Sequence, residues 1–269
     1  VMPERNTMIE TITSRKNQRI KEAAGLVRSA ESRRAQGLFV VEGARLCYDA
    51  LRSGVPVQQL FFTPQAREKY GDYVEPLVQA AQAAFCTEPH AAELLSGTKN
   101  SQGVFAVCAQ KPRLSLEALP KTGRYLGLEA LQDPGNLGAV MRTAEALGIG
   151  GLVLFGECCD VYNPKALRAG MGAAFRLPVY QGGSFAEIAP HLHRRGFSTF
   201  AAVPDAAAQP VTACPFPEPC LLLVGNEGSG LLPETIEACS QKVTIPMKGR
   251  AESLNAASSS AILMWEMMR

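Results

Sequence analysis

Polar side chains that could do chemistry gather in three short segments of the C-terminal half of the chain, at 133–143, 225–230 and 245–255. Each segment directly follows an apolar run. An apolar run that is followed by a loop and then by a helical pattern is typical of a buried strand. The ligand loops of parallel sheets lie at the carboxyl ends of their strands. We therefore expect all three segments to lie at strand ends.

The first segment contains Asn136 and Arg142. Pro134 and Gly135 break the preceding strand, and Asn136 is predicted to cap the next helix because its side-chain oxygen can accept an unpaired backbone N–H. Arg142 lies in an otherwise aliphatic helix, where an unpaired guanidinium is costly to bury. Two interpretations of Arg142 remain open, a surface arginine and a site arginine.

The second segment is rich in glycine. Gly225, Gly228 and Gly230 permit positive φ angles and a close approach of ligand to backbone. Glu227 lies at the mouth of a buried strand. The pattern is neither a dinucleotide fingerprint nor a phosphate loop nor a nucleophile elbow, which argues against a nucleotide-dependent oxidoreductase. The alternative is a tight turn before a helix that begins at Pro233.

The third segment carries Ser253 and Asn255, between a strand end at 243–247 and a closing helix at 256–268. Either residue could simply cap that helix. Taken singly, each of the three segments is explained by turn chemistry as well as by catalysis.

In this order and at these separations, the segments resemble the three signature motifs of the SpoU-type 2′-O-ribose RNA methyltransferases, within the SPOUT superfamily. DPGNLGAVMRTAEALG (133–148) resembles the first motif, LLLVGNEGSGL (221–231) the second and IPMKGRAESLNAASS (245–259) the third. The stretch RAGMGAAFRLPV (168–179) is also similar to the family, which often has serine where this chain has Gly170.

The resemblance implies transfer of a methyl group from S-adenosylmethionine to a ribose 2′-hydroxyl. The catalytic and positioning residues it implies are Arg142, Asn136, Glu227, Ser253 and Asn255. The cofactor pocket it implies is formed by Val224, Gly225, Asn226, Gly228, Gly230, Ile245, Met247, Ser253 and Leu254. A family proposal makes the motif arginine a general base. A guanidinium has a pKa above about 12 and gives up its proton reluctantly, so we expect Arg142 to stabilise the developing alkoxide instead.

The 269 residues predict two α/β domains, at 1–111 and 121–269, joined by a proline-bounded linker at 112–120. A helix is expected over 16–36, ending at Gly37. In the first domain the expected strands are at 38–41, 57–62, around Phe85 and at 104–109. In the second domain they are at 125–131, 151–155, 177–180, 197–203, 220–225 and 242–246, alternating mostly with helices. This alternation predicts a mostly parallel sheet with helices on both faces. The resemblance adds a deep trefoil knot and a homodimer formed through the catalytic domain.

The segment 5–34 holds eight Lys or Arg residues and three glutamates, although the whole chain has a net charge of only +2. Such a local charge attracts a phosphate backbone. We predict RNA contacts at Arg15, Lys16, Arg19, Lys21 and Arg33. A solvated amphipathic helix is the alternative.

The N-terminal part adds a less specific resemblance. TSRKNQRIKEA (13–23), followed by GLFVVEGARL (37–46), resembles the substrate-binding domain that many SpoU-type enzymes carry. That domain favours ribosomal RNA over transfer RNA as the substrate, and a transfer RNA methyltransferase is the alternative. A non-catalytic RNA-binding or ribosome-assembly protein that kept the fold is the alternative from another class.

Eight cysteines and three histidines show neither C-x-x-C pairing nor metal-ligand spacing, so we expect reduced thiols and no metal site. No apolar stretch approaches the roughly 20 residues that span a bilayer, and the first residues show no signal-peptide core. These features predict a cytoplasmic protein without a membrane partner.

Overall fold

The computed structural model describes residues 9–269, and the chain divides into two compact units. The first unit comprises Val1–Lys111 with Asp160–Phe175, and the second comprises Pro112–Cys159 with Arg176–Arg269. Two features differ from the predicted domains. The segment 160–175 belongs to the first unit rather than to the catalytic domain, and 112–120 is part of the second unit rather than a linker. Arg5 lies outside the described residues.

The first unit contains a five-stranded sheet and several helices. Its strands are β1 (Ile9–Ile12), β2 (Leu38–Glu42), β3 (Val57–Phe62), β4 (Ala83–Thr87) and β5 (Val104–Ala109). Its helices up to that point are α1 (Gln18–Arg28), α2 (Ala30–Gln36), α3 (Ala44–Arg52), α4 (Pro64–Lys69), α5 (Gly71–Ala80) and α6 (Pro89–Ala92). The strand order is β1-β4-β3-β5-β2, with β1, β4 and β3 parallel and β5 antiparallel to both neighbours.

The core of the first unit lies against α1. Phe61 and Phe85, from neighbouring strands, stack with ring centroids 5.0 Å apart. Ile20 and Leu26 of α1 are buried in the same apolar cluster. The aliphatic residues at helical spacing in this basic segment therefore face the sheet, which leaves the polar face of α1 outward.

The single helix predicted over 16–36 is two helices. Ser29 has extended backbone angles, φ −119° and ψ 120°, and its hydroxyl accepts the N–H of Ser32 at 3.1 Å. It therefore ends α1 and caps α2. Serine competes for backbone hydrogen bonds in this way, which makes it a better cap than a helix-interior residue. Gly37, with φ 64°, ends α2 as predicted.

The second unit is built on an eight-stranded sheet whose strands all run parallel. The strands are β6 (Leu114–Ser115), β7 (Arg124–Glu129), β8 (Leu152–Phe155), β9 (Val179–Gln181), β10 (Ser198–Ala202), β11 (Gln209–Pro210), β12 (Cys220–Val224) and β13 (Gln241–Thr244). The helices are α7 (Pro134–Leu147), α9 (Phe185–Arg194), α10 (Pro233–Ala238) and α11 (Ala256–Met268). The strand order is β11-β13-β10-β12-β7-β8-β9-β6.

This topology places the three polar segments at the carboxyl ends of β7, β12 and β13. β12 lies directly beside β7, and α11 packs against α7. The predicted strands of this unit are confirmed, with bounds that differ by at most two residues, and α11 has the predicted bounds. The predicted linker instead forms β6, which pairs with β9, and Leu116 and Leu119 are buried in the core of this unit.

The segment 160–175 contributes α8 (Pro164–Gly170) to the first unit. Phe39 of β2 packs against Tyr162 and Phe175, with ring centroids 4.3 and 6.2 Å away. Arg33 forms a buried ion pair with Asp160, 2.6 Å between Nε and Oδ2. Burial of these aromatic rings explains why the segment packs with the first sheet, although β8 and β9 flank it in sequence.

Candidate active site

Glu227 connects the second polar segment to the first. Its carboxylate accepts the backbone N–H of Gln132 at 3.1 Å and that of Asp133 at 3.0 Å. It also accepts a hydrogen bond from the side-chain amide of Asn136 at 3.1 Å. The two loops that follow the neighbouring strands β7 and β12 are thus joined through one carboxylate.

The helix cap in this region is Asp133 rather than Asn136. The Asp133 carboxylate accepts the N–H of Asn136 at 2.9 Å, and Pro134 occupies the first helical position. Proline fits that position because its fixed φ is helical and its missing N–H would be unpaired there. The prediction that Asn136 caps α7 is therefore wrong. Its side chain is instead available for contacts outside the helix.

Asn255 connects the third polar segment to the first. Its amide donates to the side-chain oxygen of Asn136 at 3.0 Å. Its own oxygen accepts the N–H of Ala257 at 2.9 Å and of Ser258 at 3.3 Å, so Asn255 caps α11. Of the two candidate caps in this segment, Asn255 takes that role and Ser253 does not.

The chemistry of these groups fixes the direction of the chain Asn255, Asn136, Glu227. A carboxylate can only accept, so Asn136 must turn its NH₂ toward Glu227 and its oxygen toward Asn255. Asn255 must then donate, which leaves its oxygen for the first N–H groups of α11. One carboxylate thereby sets the orientation of two amides and links all three segments.

These donors also determine the charge state of Glu227. Burial alone would raise the pKa of this carboxyl group. Hydrogen bonds from the Asn136 side chain and from the backbone N–H groups of Asp133 and Gln132 outweigh burial and lower the pKa. Glu227 is therefore an anion at neutral pH, held in place by its partners.

A pocket of about 370 Å³ opens among the loops after β12 and β13. Its size is within the range of small-molecule sites, about 300–1,000 Å³. All nine residues predicted to bind the cofactor line it: Val224, Gly225, Asn226, Gly228, Gly230, Ile245, Met247, Ser253 and Leu254. Glu227 and Glu252 are the charged residues on the wall, which includes no Lys, Arg or His of the described chain.

The loop that forms one side of the pocket is tightly folded. A Cβ atom at Gly225 would overlap the backbone of Gly230 and Leu231, so only glycine fits there. The far end of the loop is held by Glu129, a buried carboxylate at the end of β7. It accepts the N–H of Leu232 at 2.8 Å and the hydroxyl of Thr235 at 2.5 Å. The pocket wall is thus anchored at both ends.

Within one chain, Arg142 does not join the hydrogen-bond network of Asn136, Glu227 and Asn255. It is exposed on α7, it does not line the pocket, and within residues 9–269 its guanidinium has no hydrogen bond or ion pair. Arg142 follows Asn136 by six positions, which correspond to about 9 Å along the helix. Its guanidinium is therefore open to a group that comes from outside the chain.

Most of the predicted RNA-binding side chains are exposed, but Arg33 is not. Arg15, Lys16, Arg19 and Lys21 are exposed at or before α1. Arg33 is 2% exposed, and its guanidinium bonds Asp160 and the carbonyl of Leu26, the latter at 2.7 Å. A buried and paired guanidinium cannot reach phosphate, so the predicted RNA contact at Arg33 is wrong. Sequence pattern could not reveal a partner 127 residues away.

Sequence reasoning missed three contributors to the site, namely Glu129, Gln132 and Asp133. For Asp133 a signal existed, because a proline at the first helical position places the cap one residue earlier. Glu129 is read as part of an apolar strand, and nothing local marks its carboxylate as the anchor of a distant loop. Within the described residues, no cluster of His, Cys, Asp and Glu that could hold a metal ion is found.

Comparisons with known proteins agree with this geometry. Residues 123–265 match the model of the SpoU rRNA Methylase family. The chain belongs to this family. Residues 17–106 match an MRM3-like substrate binding domain.

Several relatives match over nearly the whole chain. The 23S rRNA (uridine(2479)-2′-O)-methyltransferase of Streptomyces viridochromogenes is 32% identical over 99% of this chain and 94% of its own length. The 23S rRNA (guanosine(2553)-2′-O)-methyltransferase RlmP of Bacillus subtilis is 29% identical over 96% and 99%. The SpoU methyltransferase AviRb from Streptomyces viridochromogenes, solved in complex with AdoMet, matches with a TM-score of 0.83 and 29% identity, over 94% of this chain and 97% of that one.

Proposed function

We propose that this protein is an S-adenosylmethionine-dependent 2′-O-ribose methyltransferase that acts on ribosomal RNA. One observation carries the proposal: Asn136, Glu227 and Asn255, from three separate motifs, form one hydrogen-bond chain beside a ligand-sized pocket. The similar proteins of Streptomyces viridochromogenes and Bacillus subtilis are named for 2′-O-methylation of 23S rRNA.

The pocket suits the cofactor in size, lining and charge. Val224, Leu231 and Leu263 supply apolar wall against which an adenosine can pack, and the glycines of the loop expose backbone groups. The charged residues on the wall are the acids Glu227 and Glu252. An acidic wall suits a ligand that carries a sulfonium. AviRb, a similar structure, was solved with AdoMet bound.

The bound cofactor supplies an activated methyl group, so the protein must mainly align the reactants and stabilise the ribose oxygen as its proton leaves. Glu227 fixes Asn136, and Asn255 fixes the start of α11, which keeps the loop around Ser253 beside the pocket. We assign Ser253 to contact with cofactor or RNA, since it lines the pocket and does not cap a helix.

Arg142 is proposed to stabilise the developing alkoxide. Its exposed guanidinium has no partner in the described chain, so it is free to meet an RNA ribose or phosphate. It acts as a charge and a donor rather than as a base, because a guanidinium keeps its proton in proteins. In the single chain, Arg142 is separate from the hydrogen-bond network of Asn136, Glu227 and Asn255. This separation favours a substrate that contacts both Arg142 and that network.

Ribosomal RNA is favoured as the substrate by the first unit. That unit matches an MRM3-like substrate binding domain, and the basic side chains of Arg15, Lys16, Arg19 and Lys21 are exposed on it. Exposed cations on a substrate-binding domain suit contacts to phosphate, which position RNA without reading its sequence.

We also propose that the protein is a knotted homodimer of the cytoplasm. Exposed apolar side chains on α11, Ile262 at 39% and Trp265 at 60%, support pairing through the catalytic unit. Family membership supports the trefoil knot. The eight free cysteines favour a reducing compartment. Light scattering tests the pairing, and a monomer that still turns over would contradict it.

Calorimetric titration with S-adenosylmethionine, followed by mapping of 2′-O-methylation in ribosomal RNA from cells with and without the gene, tests the proposed activity. We expect cofactor binding and one ribose methylation that disappears with the gene. Absence of cofactor binding would support the non-catalytic RNA-binding alternative. Loss of a methyl group from transfer RNA instead would contradict the substrate assignment.

A further inference from the structure

Ala130, the residue between β7 and the first motif, has a left-handed backbone conformation with φ 52°. Residues with a Cβ atom rarely adopt this conformation, and it persists only where surrounding groups hold it. Ala130 precedes the cap of α7 by three residues. Its conformation therefore determines the direction in which the chain enters that helix.

The side chain of Asn226 holds the carbonyl of Ala130. The Asn226 amide donates to this oxygen at 2.8 Å, and the side chain of Gln132 adds a longer bond at 3.2 Å. The N–H of Ala130 is bound to the carbonyl of Phe155 at 3.1 Å. Both polar backbone groups of the left-handed residue are thus paired, and the shortest of these bonds comes from the second motif.

The other end of the same amide organises the pocket wall. The oxygen of Asn226 accepts the N–H of Gly228 at 2.9 Å and that of Ser229 at 3.2 Å. One planar group therefore touches both loops, the pocket loop through its oxygen and the entry to α7 through its nitrogen. Its neighbour Glu227 accepts the backbone N–H groups of Gln132 and Asp133, which lie between Ala130 and α7.

We propose that Asn226 is a positioning residue that holds Ala130 in its left-handed conformation and so places α7, with Asn136 and Arg142, relative to the cofactor loop. The inference rests on the proposed function and deepens it. Order in the loop at 225–230 is transmitted to α7 through the Asn226 amide, whose oxygen is bonded to that loop.

Asn226→Asp tests the role, because aspartate keeps an oxygen for Gly228 and Ser229 but has no donor for the Ala130 carbonyl. We expect kcat to fall about tenfold or more, as small misplacements of reacting groups do, while the Kd for S-adenosylmethionine changes less than about threefold. The matched control is Asn163→Asp. The oxygen of Asn163 accepts the N–H of Lys165 at 2.9 Å, which aspartate preserves, so kcat should not change.

A double-mutant cycle with Ala130→Gly separates positioning from general damage. Glycine adopts the left-handed conformation without steric cost, so Ala130→Gly in the Asn226→Asp background should recover about half or more of the lost kcat on a logarithmic scale, relative to Ala130→Gly alone. No recovery would overturn the proposal. A rise in the cofactor Kd that equals the loss of kcat would also overturn it, because Asn226 would then act in cofactor binding.

Thermal unfolding of the same four proteins gives a readout that does not need turnover. We expect Asn226→Asp to lower Tm and Ala130→Gly to restore part of the loss. If the wild-type protein methylated no RNA, the proposed activity would fail, but the Tm values would still test the role of Asn226 in holding Ala130. If the wild-type protein methylated RNA but the Tm changes of the two substitutions simply added, only the role of Asn226 would be refuted.

Discussion

The side-chain amide of Asn136 donates to the carboxylate of Glu227 across 3.1 Å, so a residue of the first motif is oriented by a residue of the second. The opposite end of the same amide accepts from Asn255. Asparagine suits such a place, because its planar amide offers a donor to one neighbour and an acceptor to the other.

Asn136→Asp should therefore be more harmful than Asn136→Ala. Aspartate places a second carboxylate beside Glu227, and like charges at this distance raise the pKa of the pair. We expect Asn136→Asp to be the less stable variant at neutral pH. Its deficit should shrink as the pH falls through the raised pKa of the pair. Urea unfolding across pH measures this, and a deficit independent of pH would contradict it.

Glu227 should make the free energy of unfolding depend on pH in the acidic range. Its pKa is lowered in the folded state, so its contribution is complete above its ordinary pKa of 4.5 and is lost as the pH falls toward the folded value. In Glu227→Gln this loss below about pH 4.5 should disappear. The exposed Glu237 on α10, changed to Gln, is the matched control. Equal acid sensitivity of the Glu227→Gln variant and the wild-type protein would contradict the expectation.

Arg142→Ala should abolish most turnover and spare cofactor binding. Loss of one donor to a developing oxyanion costs about 10²–10³ in kcat, whereas Arg142 does not line the pocket. Single-turnover methylation and calorimetry measure the two effects. Arg194→Ala, an exposed arginine on α9, is the control. An equal loss of cofactor affinity would reassign Arg142 to binding.

Glu252→Gln should weaken S-adenosylmethionine more than S-adenosylhomocysteine. The first ligand carries a sulfonium and the second a neutral thioether, and Glu252 is an acid on the pocket wall. For a solvent-exposed pair we expect a change of about twofold to fivefold, which shrinks at high salt. Competition titrations measure the ratio of the two affinities. A ratio equal to that of the wild-type protein would place the sulfonium away from Glu252.

Basic residues of the first unit should separate into two classes. Lys16→Ala and Lys21→Ala should lower RNA affinity and reduce its dependence on salt, as loss of phosphate contacts does. Arg33→Ala should instead cost about 3–5 kcal/mol of unfolding free energy, because it leaves the buried carboxylate of Asp160 without its positive partner. Filter binding and urea unfolding distinguish the classes. If Arg33→Ala were as stable as the wild-type protein, the structural role of Arg33 would be contradicted.

The elements that position the site could be predicted because their signals are local. The run at 220–225 and the small, apolar residues at 256–268 determine their own structure, so β12 and α11 lie where expected. Motif resemblance predicts the pocket residues, and the structure brings them together around one pocket. Pattern alone did not supply that convergence.

The features that escaped prediction depend on contacts between distant residues. The basic segment predicts an RNA contact at Arg33, yet its guanidinium is buried against Asp160. The residue type of Asn136 predicts a helix cap, yet Pro134 begins the helix and Asp133 caps it. In each case a residue type has several uses, and a partner far along the chain selects among them.

Because Asp160–Phe175 belongs to the first unit, that unit does not consist of one continuous piece of sequence. During synthesis, Phe39 must wait for Tyr162 and Phe175 to leave the ribosome before its aromatic contacts form. A fragment cut after Lys111 would leave this face of β2 uncovered. The N-terminal unit therefore cannot complete its fold until β6, β7 and β8, three of the eight strands of the second sheet, have been translated.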